Sequence, residues 1–213
     1  MNQVIIRLGP GAPQAVSWAE KTAEGVTTFR GSLKDIAERL EGRRAVVLVP
    51  GNEVLVTQVR LPGGNRKRLA QAVPYALEES LAADVEEQHF ALGMTLQDGA
   101  MAVAVVAKER LEAWLAMLEK AGLEPAFLGP ETLAVPFEAP RSSILLDGGL
   151  ALVRTGLQSG FAMEPESAAA VLTATPDSRE GSEAALYRGA QEEVPAEPEP
   201  LVKTEKGVSD VMA

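Results

Sequence analysis

The chain has 213 residues but no cysteine and only one histidine, His89. Without cysteine there are no disulfide bonds, no thiol catalysis and no cysteine-ligated zinc or iron–sulfur centre. A single histidine also deprives metal sites of their commonest ligand. The longest apolar run, residues 100–107, is far short of the roughly 20 residues that span a bilayer. Because the N-terminus lacks a secretory signal pattern as well, we expect a soluble, cytoplasmic polypeptide.

The chain has fewer basic than acidic residues. There are 20 Lys and Arg against 30 Asp and Glu, which leaves a net charge of −10. Such a chain disfavours nucleic acid and anionic membranes, although a local basic patch could bind either. A basic or neutral protein partner is therefore expected. Hydrophobic residues make up 46% of the chain, which is enough for a sizeable core and excludes fibrous and wholly disordered classes.

The first 62 residues predict the order β-β-β-α-β-β. Short runs rich in β-branched or aromatic residues predict a three-stranded meander. A helix then follows Ser32, which stands three residues before Asp35 as in a capping box, and ends at Gly42. A continuous apolar run and an alternating one predict two more strands. The predicted strands are residues 4–8, 15–19, 26–29, 45–49 and 53–61.

The middle of the chain predicts two helices around a β-hairpin. Asn65 is a good N-cap for the first helix, in which Pro74 should produce a kink or two helical pieces. Asp98 and Gly99 supply the turn chemistry of the hairpin. The second helix carries an apolar stripe at helical spacing and ends at Gly122. The predicted elements are a helix over 65–82, strands 90–96 and 101–107, a helix over 108–122 and a strand over 125–128.

The last third predicts a small sheet followed by a tail. Strands 144–146, 150–153 and 160–163 are expected, with a turn at Asp147-Gly148-Gly149. Residues 176–213 hold nine Asp and Glu, four Lys and Arg and four Pro, so they carry −5 of the net charge of −10. Such a segment buries too little apolar surface to offset its ordering entropy. We expect an acidic, Pro-containing tail or linker, with one helix around residues 183–188.

None of the candidate nucleotide-binding, nucleophile or metal motifs matches its sequence pattern. Gly9-Pro10-Gly11 follows a strand, but Gln14 stands where a dinucleotide fingerprint needs glycine, and no P-loop sequence occurs. Ser159 is one residue out of frame for a nucleophile elbow. We interpret His89 as a structural or exposed residue, and the acidic residues near a helix end as a solvated surface. These acidic residues are Glu78, Glu79, Asp84, Glu86 and Glu87. We therefore expect no catalytic residue and no metal site.

One dense basic patch remains, formed by Arg60, Arg66, Lys67 and Arg68. On an acidic protein this patch favours an acidic protein surface, or the chain's own carboxylates, over nucleic acid.

A long stretch of the chain resembles a known family. The residues that carry the likeness are Leu61-Pro62, the run Gln-Ala-Val-Pro-Tyr-Ala-Leu-Glu-Glu at 71–79 and the run Leu-Ala-Ala-Asp-Val-Glu-Glu-Gln-His-Phe-Ala at 81–91. They resemble the cytoplasmic part of the type II secretion system protein L family. Comparable segments extend the resemblance to roughly residues 40–165.

The resemblance implies an α/β (α+β) fold of the actin-like ATPase or ribonuclease H-like type, degenerate, with mixed β-sheets and flanking helices. The β-β-β-α-β opening agrees with it. The expected domains are a ribonuclease H-like subdomain (1–62), a helix-hairpin-helix middle subdomain (63–140), a small β subdomain (141–175) and the tail (176–213). In the family, such a tail leads to a membrane span that this sequence does not contain.

The resemblance also implies a function. Family members hold the cytoplasmic secretion ATPase at the bacterial inner membrane and meet the other inner-membrane platform proteins. This chain would then be a non-catalytic scaffold at the cytoplasmic face of that membrane, attached only through an absent C-terminal transmembrane helix. A homodimer is a further implication.

Nucleotide chemistry is not expected. Actin-like ATPases place an Asp in the first hairpin turn, but residues 7–12 hold no carboxylate. Asp147, Gly148 and Gly149 resemble a second phosphate loop that lacks its opposing half, so they are only a weak cofactor-binding candidate and we expect no cofactor. A nucleotide-binding actin-like pilus-assembly scaffold, an actin-like ATPase and an acidic adaptor that uses its tail stay open as alternatives.

A scaffold acts through its surfaces. The partner interface candidates are the charged residues Arg66, Lys67, Arg68, Glu78 and Glu79 of the helix over 65–82, together with any exposed strand edge. The alternative interpretation is that each of these charged residues lies on a helix surface that contacts only solvent.

Overall fold

The structure is a computed structural model that describes residues 3–9, 16–23, 25–40, 44–174, 184–189 and 202–207. The α-helices are α1 (Leu33–Leu40), α2 (Arg66–Leu77), α3 (Lys108–Lys120) and α4 (Pro165–Ala174). The strands of the first half are β1 (Gln3–Arg7), β2 (Val16–Thr22), β3 (Gly25–Gly31), β4 (Ala45–Val49), β5 (Leu55–Val59) and β6 (Gln88–Thr95). The remaining strands are β7 (Met101–Ala107), β8 (Pro125–Pro130), β9 (Ser142–Asp147), β10 (Leu150–Gly156), β11 (Ser159–Met163), β12 (Ala184–Arg188) and β13 (Val202–Gly207).

The first sheet has five strands in the order β3-β2-β1-β4-β8. The predicted meander is confirmed, since β1, β2 and β3 pair antiparallel, and β4 then joins β1 in parallel. Residues of α1, such as Ile36, and of α3, such as Trp114, are buried in one core cluster with Ile6 and Val47 of this sheet. The continuous apolar run of β4 reflects this burial, because four of its five residues are buried.

The capping box of α1 forms as predicted. The backbone N–H of Ser32 donates to Oδ2 of Asp35 at 2.8 Å, and the backbone N–H of Asp35 donates to the Ser32 hydroxyl at 3.3 Å. These bonds satisfy donors that the first turn of a helix leaves unpaired. The hydrogen bond from the Ser32 backbone, reinforced by the Ser32 hydroxyl, lowers the pKa of Asp35.

The second sheet has eight strands in the order β13-β12-β9-β10-β11-β5-β7-β6. Its β6–β7 hairpin turns at Gly99, where φ is +81°, and its β9–β10 hairpin turns at Gly148 and Gly149, where φ is +60° and +76°. Both turns were predicted, because these left-handed conformations favour glycine. Strand β5 meets β11 at a single residue pair, Val56 with Gly160. The predicted small sheet is thus part of a larger one.

The predicted helix around residues 183–188 is wrong. Residues 184–188 form β12, which pairs in parallel with β9 and buries Tyr187 against Leu152 and Val135. Alanine, leucine and arginine favour a helix locally, but the free edge of β9 and the apolar pocket for Tyr187 override that weak preference. Strand β13 continues the sheet beside β12. The rest of the expected tail lies outside the described residues, and the division into subdomains stays a prediction.

Helix α2 begins after an N-cap residue and is followed by a 3₁₀ turn. The side chain of Asn65 accepts a hydrogen bond from the backbone N–H of Arg68 at 3.0 Å, as predicted for an N-cap. The helix runs through Pro74 to Leu77, and a 3₁₀ turn then covers Glu78–Ser80. Val73 and Leu77 are buried in a second core cluster with residues of β5 and β7, so the opposite side of the helix faces solvent.

Helix α4 was not predicted. Pro165 stands at its first position, where the missing N–H costs nothing, and three alanines follow at 168–170. Ala168 is buried with Ala151 and Val153 of β10. Within the described ranges, no helix has both the length and the apolar character needed to cross a membrane.

Candidate functional site

The solvent side of α2 carries an exposed aromatic residue between charges of opposite sign. Tyr75 is 77% exposed, the highest value among the large apolar or aromatic residues that the structure describes as exposed. At helical spacing, Arg68 and Gln71 precede it on the same side and Glu78 and Glu79 follow, and all of them are exposed. We call the surface of Lys67, Arg68, Gln71, Tyr75, Glu78 and Glu79 the α2 face.

The charges of the α2 face run against the helix dipole. The first turn of α2 holds Arg66, Lys67 and Arg68 and no acid, and Glu78 follows the last turn, which holds no base. Helices α1 and α3 also carry bases in the first turn, Lys34 in α1 and Lys108 and Arg110 in α3, but each has an acid there as well and a base in the last turn. Cations near a helix N-terminus and anions near its C-terminus each cost about 0.3–1 kcal/mol when weakly screened. Helix stability therefore does not explain this arrangement, whereas recognition of a partner would.

The structure places the predicted interface residues in two groups. Lys67, Arg68, Glu78 and Glu79 are exposed, and no ion pair involving them occurs among the described residues. Arg66 has a local role, because its Nη2 donates to the carbonyl oxygen of Leu92 at 2.6 Å and so ties α2 to β6.

Tyr75 was not among the site residues predicted from the sequence. A helical wheel could have found it, since it lies opposite Val73 and Leu77 on the helix. Tyrosine and arginine are the residue types most often found at the energetic centre of interfaces.

The other basic residue of the predicted patch, Arg60, is held by the chain itself. Its Nη2 lies 2.5 Å from Oδ2 of Asp98, and its Nη1 donates to the Asp98 carbonyl oxygen at 3.1 Å. One interpretation of the basic patch was that it pairs with the chain's own carboxylates, and Arg60 does so.

The weak phosphate-loop candidate is occupied by an internal ion pair. Arg7, at the end of β1, donates to Asp147 and, through its Nε, to Glu131. Glu131 is only 4% exposed and also accepts the backbone N–H of Gly51 at 3.1 Å. Burial lowers the pKa of Arg7, but the nearby Glu131 and Asp147 raise it by more. We call Arg7, Glu131 and Asp147 the Arg7 clasp.

The clasp joins the two sheets, because Arg7 belongs to the first and Asp147 to the second. On the far side of Asp147, the backbone of Gly189 lies so close to the carboxylate that a Cβ would not fit. An incoming phosphate would have to displace Arg7 from two carboxylates and then face those carboxylates itself, which is electrostatically unfavourable. Residues 10–12 of the first hairpin turn lie outside the described residues.

The remaining chemical candidates are not gathered into one site. Ser159 lies on β11, where its hydroxyl accepts from Thr155 at 3.1 Å, and His89 lies exposed on β6, the far edge strand of the same sheet. Within the part of the chain that the structure describes, no group of three His, Asp or Glu residues is placed to hold a metal ion.

Comparison with known proteins identifies relatives. The family model of "Type II secretion system (T2SS), protein L" matches residues 4–203. The type II secretion system protein L of Dickeya chrysanthemi is 32% identical over 171 residues, which cover 78% of this chain and 42% of that protein. The protein of the same name from Klebsiella pneumoniae is 36% identical over 170 residues, which cover 76% of this chain and 41% of the relative. The chain thus spans about two fifths of the length of these curated relatives.

Solved structures support the fold. The cytoplasmic domain of EpsL, an inner membrane component of the type II secretion system of Vibrio cholerae, superposes with a TM-score of 0.78 at 22% identity, covering 100% of this chain and 92% of that one. A Bacteroides thetaiotaomicron protein with an actin-like ATPase fold and unknown function superposes with a TM-score of 0.50 at 10% identity, covering 90% and 82%. The expected mixed α/β, actin-like architecture is confirmed.

Proposed function

The chain belongs to the type II secretion system protein L family, and from this membership we propose that it is a non-catalytic cytoplasmic scaffold that captures the secretion ATPase at the inner membrane. In this proposal the other inner-membrane platform proteins of the secretion system are further partners, and a second copy of the chain is another. The chain acts on the cytoplasmic side, where the ATPase is.

The observation that carries the proposal is the α2 face. Tyr75 presents a rigid aromatic ring with a polar tip, and such side chains supply much of the binding energy in protein interfaces. The surrounding charges reduce helix stability and have no ion-pair partner among the described residues. A partner with an acidic patch opposite Lys67 and Arg68 and a basic patch opposite Glu78 and Glu79 would compensate them. Charges at the edge of an interface mainly set orientation and association rate.

The Arg7 clasp supports capture without nucleotide chemistry. In an actin-like ATPase, bound nucleotide and metal would bring charge between the two halves of the fold, whereas here the guanidinium of Arg7 already pairs with the carboxylates of Glu131 and Asp147. The same observation disfavours the two nucleotide-dependent alternatives, a pilus-assembly scaffold that binds nucleotide and an actin-like ATPase.

The test is isothermal titration of the protein with the N-terminal region of the cognate secretion ATPase. We expect saturable binding that weakens about 30-fold or more in Tyr75→Ala, which corresponds to an interface hot spot of about 2 kcal/mol. Arg68→Glu should weaken the affinity and make it less dependent on salt, because a charge at the edge of an interface acts mainly through the association rate. The matched control is Leu157→Ala, at an exposed apolar residue in the β10–β11 turn, and it should bind like the wild type.

Equal binding by the wild type, Tyr75→Ala and Arg68→Glu would remove the α2 face as the site. The acidic-adaptor alternative makes a different prediction, since replacing Glu192, Glu193, Glu197 and Glu199 with glutamine would then abolish binding. The scaffold proposal expects that variant to bind fully.

A further inference from the structure

Strand β5 has very unequal neighbours in the second sheet. Its five residues, Leu55–Val59, all pair with β7, but on the other side only Val56 pairs with β11. Strand β11 instead follows β10 over its full length. Among the residues that the structure describes, residues 57–59 of β5 therefore have a strand on one side only, although β5 lies inside the sheet order.

A groove of about 550 Å³ runs beside this part of β5. Residues 57–60 form one wall, Ala76, Leu77 and Ser80 at the end of α2 form another, and Asp98 and Ala100, just before β7, close one end. The volume is within the range of about 300–1,000 Å³ that is typical of ligand clefts. Because alternate residues of a strand direct their main-chain N–H and C=O groups to the same side, about half of residues 57–60 present theirs away from β7.

The described residues that line the groove carry no uncompensated charge. Thr57, Gln58 and Val59 are neutral, and Arg60 is paired with Asp98 at its end. Natural sheet edges are usually protected by lysine, proline or a bulge, and none of these occurs at residues 57–59. The complementary occupant is an uncharged main chain in an extended conformation, because it offers hydrogen bonds and brings no charge that the groove would have to neutralise.

The groove is also continuous with the α2 face. Exposed Ala76 and Ser80 adjoin Tyr75 and Glu79 in the chain. A partner seated on Tyr75 therefore reaches the groove without crossing another element of the fold.

We propose that the captured partner inserts an uncharged, extended segment beside residues 57–59 and adds it to the sheet as a strand. This inference rests on the proposed function, because the segment belongs to the N-terminal region of the secretion ATPase that binds the α2 face. The interface then has two parts: side-chain recognition by the α2 face and main-chain pairing along β5.

The first test is hydrogen–deuterium exchange of the wild-type chain alone and saturated with the N-terminal region of the cognate ATPase. We expect the amides of residues 57–60 that point away from β7 to exchange at least tenfold more slowly in the complex, because the others are already paired with β7. The amides of residues 91–94 on β6, the edge strand at the far end of the sheet, should exchange at the same rate in both samples. Since this test needs no substitution, no loss of folding can obscure it.

The second test fills the groove. Ala76→Arg puts a long charged side chain on the groove wall, and Ala82→Arg puts the same side chain at an exposed position that does not line it. We expect Ala76→Arg to weaken ATPase binding at least tenfold and Ala82→Arg to leave it unchanged.

The outcomes separate the two proposals. Binding that depends on Tyr75 but leaves residues 57–60 unprotected and tolerates Ala76→Arg would overturn the added strand and leave the scaffold function standing. No saturable binding of the ATPase region by the wild type would overturn both.

Discussion

Replacing Arg7 with methionine should destabilise the protein more than removal of any surface charge. Methionine has a similar length and keeps the apolar contacts of the stem, but it leaves Glu131 without a cation. Glu131 is 4% exposed, and its remaining partner would be the N–H of Gly51. A carboxylate that is buried and loses its counter-ion retains the desolvation cost without the compensating attraction.

The size of the effect follows from the exposure of each part of the Arg7 clasp. Removal of one partner of a buried ion pair costs about 3–5 kcal/mol. The side chains of Arg7 and Asp147 are 26% and 20% exposed, so water screens part of that interaction and we count only the Glu131 half. We expect Arg7→Met to lower the free energy of unfolding by about 3 kcal/mol, at the lower end of that range. For a domain of this size the loss corresponds to a fall in Tm of about 6–12 °C.

Urea unfolding followed by tryptophan fluorescence measures the effect, since Trp18 and Trp114 are both buried in the core of the first sheet. The matched control is Arg44→Met, which breaks the exposed pair with Glu124 at 3.5 Å and should change stability by less than about 1 kcal/mol. Adding Glu131→Gln to Arg7→Met should restore most of the loss, because a neutral amide keeps an acceptor for Gly51. If Arg7→Met costs no more than Arg44→Met, or if Glu131→Gln rescues nothing, the clasp is not a buried electrostatic link.

Two smaller predictions test the local chemistry of the fold. Asp35→Ala should be less stable than the wild type at neutral pH. Hydrogen bonds from Ser32 depress the pKa of Asp35 in the folded state. The stability that the ionised Asp35 contributes is therefore complete above its unfolded-state pKa and is lost as the pH falls through its folded-state pKa. The gap between the two urea midpoints should therefore close on acidification, and a gap independent of pH would contradict the capping assignment. Gly160→Ala should cost about 1–3 kcal/mol by overpacking, because its Cβ would clash with the carbonyl oxygen of Val153 on β10 and lie 2.8 Å from Cγ2 of Thr132. A melting temperature equal to that of the wild type would argue against this close packing around residue 160.

Local signals were sufficient to predict most of the fold. The observed bounds of β4 and β7 equal the predicted ones, because each is a continuous apolar run between turn residues. The starts of α1 and α2 and the end of α3 also follow their predicted caps, whereas α2 ends at Leu77 rather than at residue 82 and Gly42, the predicted end of α1, lies outside the described residues. At the end of α3, Gly122 has a φ of +74° and the N–H of Leu123 donates to the carbonyl of Leu118 at 2.9 Å.

Features that depend on distant residues could not be predicted in the same way. Residues 184–188 become a strand only because β9 offers an edge and Val135 and Leu152 offer a pocket for Tyr187. The Arg7 clasp joins residues 124 and 140 positions apart in the chain. No spacing pattern links such residues, so the isolated Asp147-Gly148-Gly149 turn was interpretable only as a fragment of a phosphate loop.

The candidate site likewise combines features that the sequence predicts with features that only the structure reveals. The charged residues of the α2 face were recognisable as a dense cluster, but their meaning depends on the helix ends, which determine that the charges oppose the dipole. Tyr75 became a candidate once its exposure was known. The open side of β5 could not be foreseen, because it arises where β11 pairs with β5 at one residue only.

We propose that this chain captures the secretion ATPase without using nucleotide itself. The most direct measurement is calorimetric titration of the protein with the N-terminal region of the cognate ATPase in the presence and absence of ATP and magnesium, alongside a titration with ATP and magnesium alone. We expect one saturable protein–protein isotherm with the same Kd in both buffers and no binding heat from nucleotide. Saturable ATP binding by the chain, or ATPase capture that requires ATP on the chain, would contradict it.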